Sequence, residues 1–421
     1  MLVLLAAVAT GAMAQTTYKV SVKEGTEDAT SWTIAPPEAT TTGVAQGTQV
    51  TASYGGVKKV KSVKAVKKAP AGPPSWKLTL SSPAKDLYIT ANGGLIAQHT
   101  LDVASTEFTV EMPELTSQTV NIVATDGSGN CWYCTQENMS FAIGQTYQSS
   151  PTMTALGTES SADVYKMTEA GTIPAGKTVV LSGVTISSGS IACSGNANII
   201  LMGSNSVTAA ANTAAIEIGG SGTTLTITGS GSLTVKGGQY AAAIGTGYAN
   251  NASVAGGNIE INGGTITATG GQSSAAIGTG YAYHSSSSNK CGTITINGGT
   301  VTAYGGYAGI GTGGANDSSS NECGDITING GTVTATGGAR SAAIGTGYAN
   351  NSGINKCGTI TISTGVTSVT ATMGDRSPNS IGKGFAANNG TQTCGTITIG
   401  GDATTYAVGV TESPFYYPTA P

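Results

Sequence analysis

The sequence predicts an all-β protein whose C-terminal two thirds is a parallel β-helix, preceded by small β-sandwich-like modules. Three observations predict it. One unit recurs at a step near 34 residues, the unit is built from Thr, Ile, Val and paired Gly, and no proline lies between Pro174 and Pro378. β-Branched residues favour strands and paired glycines break helices. Proline cannot donate to a strand ladder, so its absence suits continuous sheet.

The unit reads G-x-I-x-I-N-G-G-T-(I/V)-T-A-x-G-G, then A-(A/G)-I-G-T-G-(Y/G), then a polar loop. Copies begin at Gly257, Gly292, Gly324 and Gly358, and a truncated copy begins at Gly395. From Leu225 through Ile259, Ile294, Ile326, Ile360 and Ile397 the steps are 34, 35, 32, 34 and 37 residues. Val179 to Leu181 and Ile199 to Leu201 look like shorter copies. Each unit holds three apolar segments separated by glycine. In one copy Ile259 and Ile261 point inward, then Ile266 and Ala268, then Ala275 and Ile277. Strand alternation turns Thr265, Thr267 and Thr269 outward. Three strands and three corners make one coil. About eight coils, stacked at ~4.8 Å, give a rod roughly 38 Å long. Its hand is right by the general rule for parallel crossovers. One end is expected to be closed by the N-terminal β region or residues 157–175, the other by Pro414 to Pro418.

The chain before this region divides further. Residues 1–14 end in Ala12-Met13-Ala14 after an apolar run, the pattern of a cleaved export signal. Residues 15–69 alternate as a small β module, with six lysines between Val57 and Lys68. Interleaved valines favour an edge strand shielded by lysine over the alternative, a patch that touches anionic polymer or lipid. Residues 70–75 carry Pro70, Pro73 and Pro74 and form a linker; residues 76–156 are a second strand-rich module. The main change of character falls at 157: the first 150 residues hold 12 of the 63 glycines. Cys131 and Cys134 form a CxxC without the strand-then-helix context of a redox motif, so a structural disulfide or two quiet thiols are expected.

On these residues, segment 179–411 resembles the Gly/Thr-rich parallel β-helix surface proteins of the carbohydrate-binding-domain type, relatives of the pectate-lyase-like superfamily. That resemblance implies secretion, display and contact with a glycan or cell-surface polymer. Val123 to Gly127 followed by Phe141 to Tyr147 resembles the closing strands of fimbrillin-like sandwich modules. It implies an extracellular or outer-surface setting on a Gram-negative bacterium, with fimbrial or surface proteins as the alternative partners.

Three outward files could carry function. The loop file places Tyr248, Asn250 and Asn251 above Tyr281 and Tyr283, then Asn316 and Asp317, then Tyr348, Asn350 and Asn351, then Phe385 and Asn388. Aromatic faces stack on sugar rings and amides bond their hydroxyls. Gly314 leaves a gap where an aromatic is expected. The alternative is that these rings cover glycine turns and the asparagines close turns. The threonine file sets Thr265, Thr300 and Thr332 beside Thr267, Thr302 and Thr334, a grid suited to ice or a crystalline polymer, or simply a solvent-facing strand. The cysteine file contains Cys291, Cys323, Cys357 and Cys394. Cys291–Cys323 and Cys357–Cys394 are candidate disulfides, with a ladder of free thiols as the alternative.

Composition sets limits. Charged residues are 10% of the chain, with 18 Lys+Arg against 22 Asp+Glu. That leaves no basic field for nucleic acid. Only His99 and His284 occur, so no metal site and no cofactor are expected. No apolar run is long enough to span a membrane as a helix. The 11 acids after residue 157 do not cluster at one repeat position, and the copies are near-identical, so polysaccharide lyase or hydrolase activity is not expected. The sequence therefore reads as a non-catalytic surface protein.

Overall fold

A computed structural model describes residues 72–92, 94–403, 406 and 409–418, together with the strands of the first 71 residues. The chain folds as two units, Met1–Gly72 and Pro73–Pro421. In the first unit the apolar run Val3–Thr10 pairs antiparallel with Thr17–Glu24. Lys61–Lys64 is an edge strand of a three-stranded sheet with Gln49–Tyr54 and Trp32–Ala35. The Ala12-Met13-Ala14 motif, Pro70 and the lysines at 58, 59, 67 and 68 lie outside the described residues.

The second unit opens with a six-stranded sheet. Its two longest strands, Ser75–Ala91 and Gly94–Glu111, pair antiparallel through several register shifts. The sheet has two apolar faces. One encloses Trp76, Leu78, Leu87, Ile89, Phe108, Ile122 and Phe141. The other packs Tyr88, Val123, Cys131 and Leu156 against Val164, Val180, Ile200 and Met202 of the repeat region. Residue 157 is thus a change of architecture inside one unit. Cys131 and Cys134 sit on opposite faces of the strand Cys131–Phe141, because a three-residue offset reverses the side-chain direction. They are free thiols, and burial pushes Cys131 up to about 12.

The repeat region is a parallel β-helix. Its first side has nine strands, from Val164–Lys166 to Ile397–Ile399; its second and third sides have eight each. Leu225, Ile259, Ile294, Ile326, Ile360 and Ile397 stack in one file, so equivalent residues of successive copies lie on one another. The earlier short copies obey the same register, Val179 on Ile199 and Ile199 on Ile227. Inward Ile, Val and Ala make one continuous core.

From the fourth coil two more sides appear where a polar loop was expected. The fourth side holds Ala249–Asn250, Ala282–Tyr283 and Ala315–Asn316 and continues through bridges at Ala349 and Ala386. The fifth runs through Ser253–Ala255, Ser288–Cys291, Ser320–Cys323, Ile354–Cys357 and Thr391–Cys394. Pairing to the coil above and below satisfies the backbone of these segments, as a loose loop could not.

At the C-terminal end Phe415–Tyr417 pairs antiparallel with Ser368–Thr372, and Phe415 closes the core. The strand-rich sheet does not cover the other end. It lies along the first side, over Val180, Ile200 and Met202.

The cysteine file exists, but as four free thiols rather than two bridges. Cys291, Cys323, Cys357 and Cys394 are in register. In a parallel ladder neighbouring Cα–Cβ vectors point the same way, so the Cβ atoms stay near the ~4.8 Å strand spacing. A disulfide wants them nearer ~3.8 Å.

Candidate functional site

The segment Ile-Gly-Thr-Gly-aromatic-Ala builds the outward aromatic row between the third and fourth sides. Ile277 and Thr279 point inward and are fully buried. Gly278, at φ 130°, must be glycine, since a Cβ there would overlap the Gly311 carbonyl of the next coil. The threonine hydroxyls form an interior ladder. Thr246 Oγ1 accepts from Gly280 N at 3.0 Å, and Thr279, Thr312 and Thr346 accept from Gly313, Gly347 and Gly384 at 2.9 Å each.

A second interior file was not read from the sequence. Asn289, Asn321, Asn355 and Gln392 stack on the fifth side and point into the rod. Asn289 Nδ2 donates to Gly247 O at 2.8 Å. Asn321 Nδ2 donates to Gly280 O at 3.2 Å and to Gly314 O at 2.6 Å. Gln392 Nε2 donates to Gly347 O at 2.8 Å and Phe385 O at 2.9 Å. Asn289, Asn321 and Gln392 thus hold carbonyls of the aromatic segment from behind, whereas the buried Asn355 amide makes no such bond. The legible signal was an amide at one fixed place, two residues before each cysteine.

The outward rings follow. Tyr248 and Tyr281 lie parallel within 3°, centroids 5.8 Å apart. Tyr283 stacks on Tyr281 at 5.8 Å, and Tyr240 leans on both Tyr248 and Tyr281. Tyr348 and Phe385 stack at 6.2 Å. The gap expected at Gly314 is closed: Tyr307, from the preceding turn, fills the space a side chain there would occupy. That turn is two residues shorter than its counterparts, which accounts for the 32-residue step. Tyr240 and Tyr307 are therefore members of the row that its sequence pattern did not mark. Burial raises the hydroxyl pKa of Tyr248, Tyr281 and Tyr307.

Because the rings stack on one another, much of each face is covered by its neighbours. Tyr248, Tyr281, Tyr283 and Phe385 are half-buried, whereas Tyr348 is 9% exposed. The Arg340 guanidinium lies over the Tyr348 ring, 4.9 Å from its centroid. Tyr348 thus lies buried beneath Arg340.

The loop amides bond chiefly to each other. Asn350 Nδ2 donates to Asn316 Oδ1 and Asn388 Nδ2 to Asn350 Oδ1, both at 2.9 Å. Asn351 Nδ2 donates to Asp317 Oδ1 at 3.0 Å. Asn251 Nδ2 reaches Asn250 Oδ1 at 3.4 Å. Asn251, Asp317, Asn351 and Asn388 have φ between 47° and 53°, the left-handed turn conformation that Asn and Asp tolerate. Asn250, Asn251, Asn351 and Asn388 remain exposed. The row is a ridge. Two surface concavities, of about 400 and 450 Å³, lie elsewhere, beside Tyr165 and beside Phe108.

The threonine grid stands in full register. Thr265, Thr300, Thr332 and Ser368 form one file, and Thr267, Thr302, Thr334 and Thr370 the next. Tyr304, 46% exposed, breaks the third, between Thr269 and Thr336.

Residues 259–281, 294–314 and 326–348 match the family model described as a beta helix repeat. They are the central coils that carry Tyr281, Tyr307 and Tyr348. No curated protein and no solved structure gives a significant match to the chain.

Proposed function

We propose that this chain is an exported, non-catalytic surface protein that binds a polysaccharide along the aromatic row. The observation that carries this reading is the parallel stack of Tyr248 and Tyr281 on successive coils, flanked by Tyr283 on the second coil and backed by the buried threonine and asparagine ladders. A polymer laid along the rod meets ring edges, phenol hydroxyls and the free capacity of Asn250 and Asn251. Rigid presentation lowers the ordering cost of binding.

Four acids of the central coils support a non-catalytic role, because each of the four has a structural partner. Glu260 accepts from Asn262 and Asn297. Asp317 accepts from Asn351, Glu322 pairs with Lys290 at 3.1 Å, and Asp325 accepts from Thr359 N at 2.7 Å.

Screening on a glycan array tests the reading. Retention of at least one glycan, lost in Tyr248→Ala/Tyr281→Ala with the melting temperature preserved, is the expected result. An array on which nothing is retained refutes it, and pull-down of surface proteins then becomes the reading to pursue.

The threonine grid favours a second reading, adsorption to an ordered surface such as crystalline polysaccharide or ice. Thermal hysteresis and cellulose pull-down check it, and Thr302→Tyr abolishes both if the grid is the contact.

A further inference from the structure

The aromatic row is electrically lopsided. At its first coil Glu217 reaches Gly247, the neighbour of Tyr248; a Cβ on that glycine would lie 3.8 Å from Glu217 Oε1. At its last two coils stand Arg340, Arg376 and Lys383, and Arg340 and Arg376 are the only arginines in the chain.

The two arginines occupy the same turn on successive coils, with φ of 68° and 65°. Earlier coils place Asn212, Tyr240 and Ser273 at this left-handed position. Its carbonyl holds the aromatic residue of the next coil: Asn212 O accepts from Tyr248 N, Tyr240 O from Tyr281 N and Arg340 O from Phe385 N. Arg340 is therefore fixed to the row through its backbone. Arg340 N also donates to Asp375 O at 2.6 Å, which ties the two turns together. Lys383 takes the place held by buried threonine in the four preceding coils, and it is exposed.

Among the described residues none of these three cations has a carboxylate within ion-pair distance. Asp375, the neighbour of Arg376, is exposed and pairs with neither arginine. The Arg340 guanidinium lies over the Tyr348 ring, a cation–π contact that holds it near the row without using its N–H donors. A planar fork held in this way is suited to a carboxylate or sulfate.

We infer that this end of the row recognises the acid group of an anionic glycan, carboxylated or sulfated, while the Tyr248 and Tyr281 end contacts its neutral part. The inference rests on the glycan reading above. It also gives the bound polymer a direction, since Glu217 repels an acid group at the opposite end.

Dextran, carboxymethyl-dextran and dextran sulfate share one backbone and separate the cases. Affinity electrophoresis of the full chain, at low and at high salt, is the assay. One or both charged polymers are expected to bind about tenfold or more tighter than dextran, the worth of one charge-assisted hydrogen bond. Which of them binds distinguishes carboxylate from sulfate recognition. Arg340→Gln/Arg376→Gln should remove that advantage without moving the melting temperature. Equal retention of all three polymers overturns the inference and leaves the glycan reading standing. So does a charged-polymer advantage that survives in the double variant. Polyphosphate bound as tightly as the charged dextrans reduces the site to bare charge and overturns it as well. Binding of none of the three also overturns it, and the glycan reading then rests on the array alone.

Discussion

Tyr307 and Gly314 form a reciprocal pair: the ring of one occupies the volume that any side chain on the other would need. A Cβ built on Gly314 falls 2.7 Å from Tyr307 Cδ2 and closer still to Cε2, with Tyr281 Cδ2 at 3.2 Å on its other flank. The row is continuous through this coil because the glycine yields its place.

Gly314→Ala should therefore destabilise the chain by about 1–3 kcal/mol, the usual cost of overpacking. Combining it with Tyr307→Ala should recover most of that loss, a non-additivity expected of residues that compete for one space. Urea unfolding of the two single variants and the double variant measures it. Additive losses would show that the pair is not coupled.

Asn321→Leu removes the donor shared by Gly280 O and Gly314 O, both enclosed by the rod. Gly314 O keeps its bond from Ala282 N, but Gly280 O loses its donor, and leaving a buried acceptor without a partner costs about 1–3 kcal/mol. Near-UV circular dichroism should change with it, because the carbonyls that hold Tyr281 and its neighbours at coil spacing are released. A variant with unchanged stability and unchanged aromatic signal would remove the amide file from this role.

The seven cysteines should titrate as seven thiols in denaturant without reductant, since those described are all free. In the native chain Cys394, the only one not buried, should react first with a thiol reagent. A count of five or fewer would restore one of the bridges that the ladder geometry disfavours.

Glu217 supplies a pH test. Burial raises its carboxyl above the ordinary range. The unfolded chain then ionises first as pH rises, so the group favours the fold below the carboxylate range, and that contribution is lost as pH climbs through the raised value. Glu217→Gln should accordingly raise the melting temperature at pH 7 and leave it nearly unchanged at pH 3. A variant less stable at pH 7 would mean that the carboxylate has a favourable partner in the folded chain.

Much of the rod was legible because its period is carried by side chains that repeat. The Ile259 to Ile397 file and the threonine grid followed from register alone. The fifth side was not legible, because Ser-Asn-Lys-Cys and Ser-Asn-Glu-Cys look polar, and only stacking shows that their asparagines point inward. Two-faced burial was written in the runs Val179 to Leu181 and Ile199 to Met202, which lack the polar alternation of later coils. A strand apolar on both faces must be covered on both. What covers it, the sheet of residues 75–156, is a partner distant in sequence and carries no repeat signal.

The sequence by itself determined the stacked coils, the inward core and the outward threonine files, since period-two alternation inside a 34-residue repeat leaves each residue type one side to face. Only the tertiary structure decided which rings are open, how Tyr307 replaces a missing side chain, and that Tyr348 lies under Arg340. Those depend on contacts between turns of different length on neighbouring coils. A one-dimensional pattern fixes the vertical position of a residue, but the lateral reach of a long side chain is set by whatever volume its neighbours leave empty.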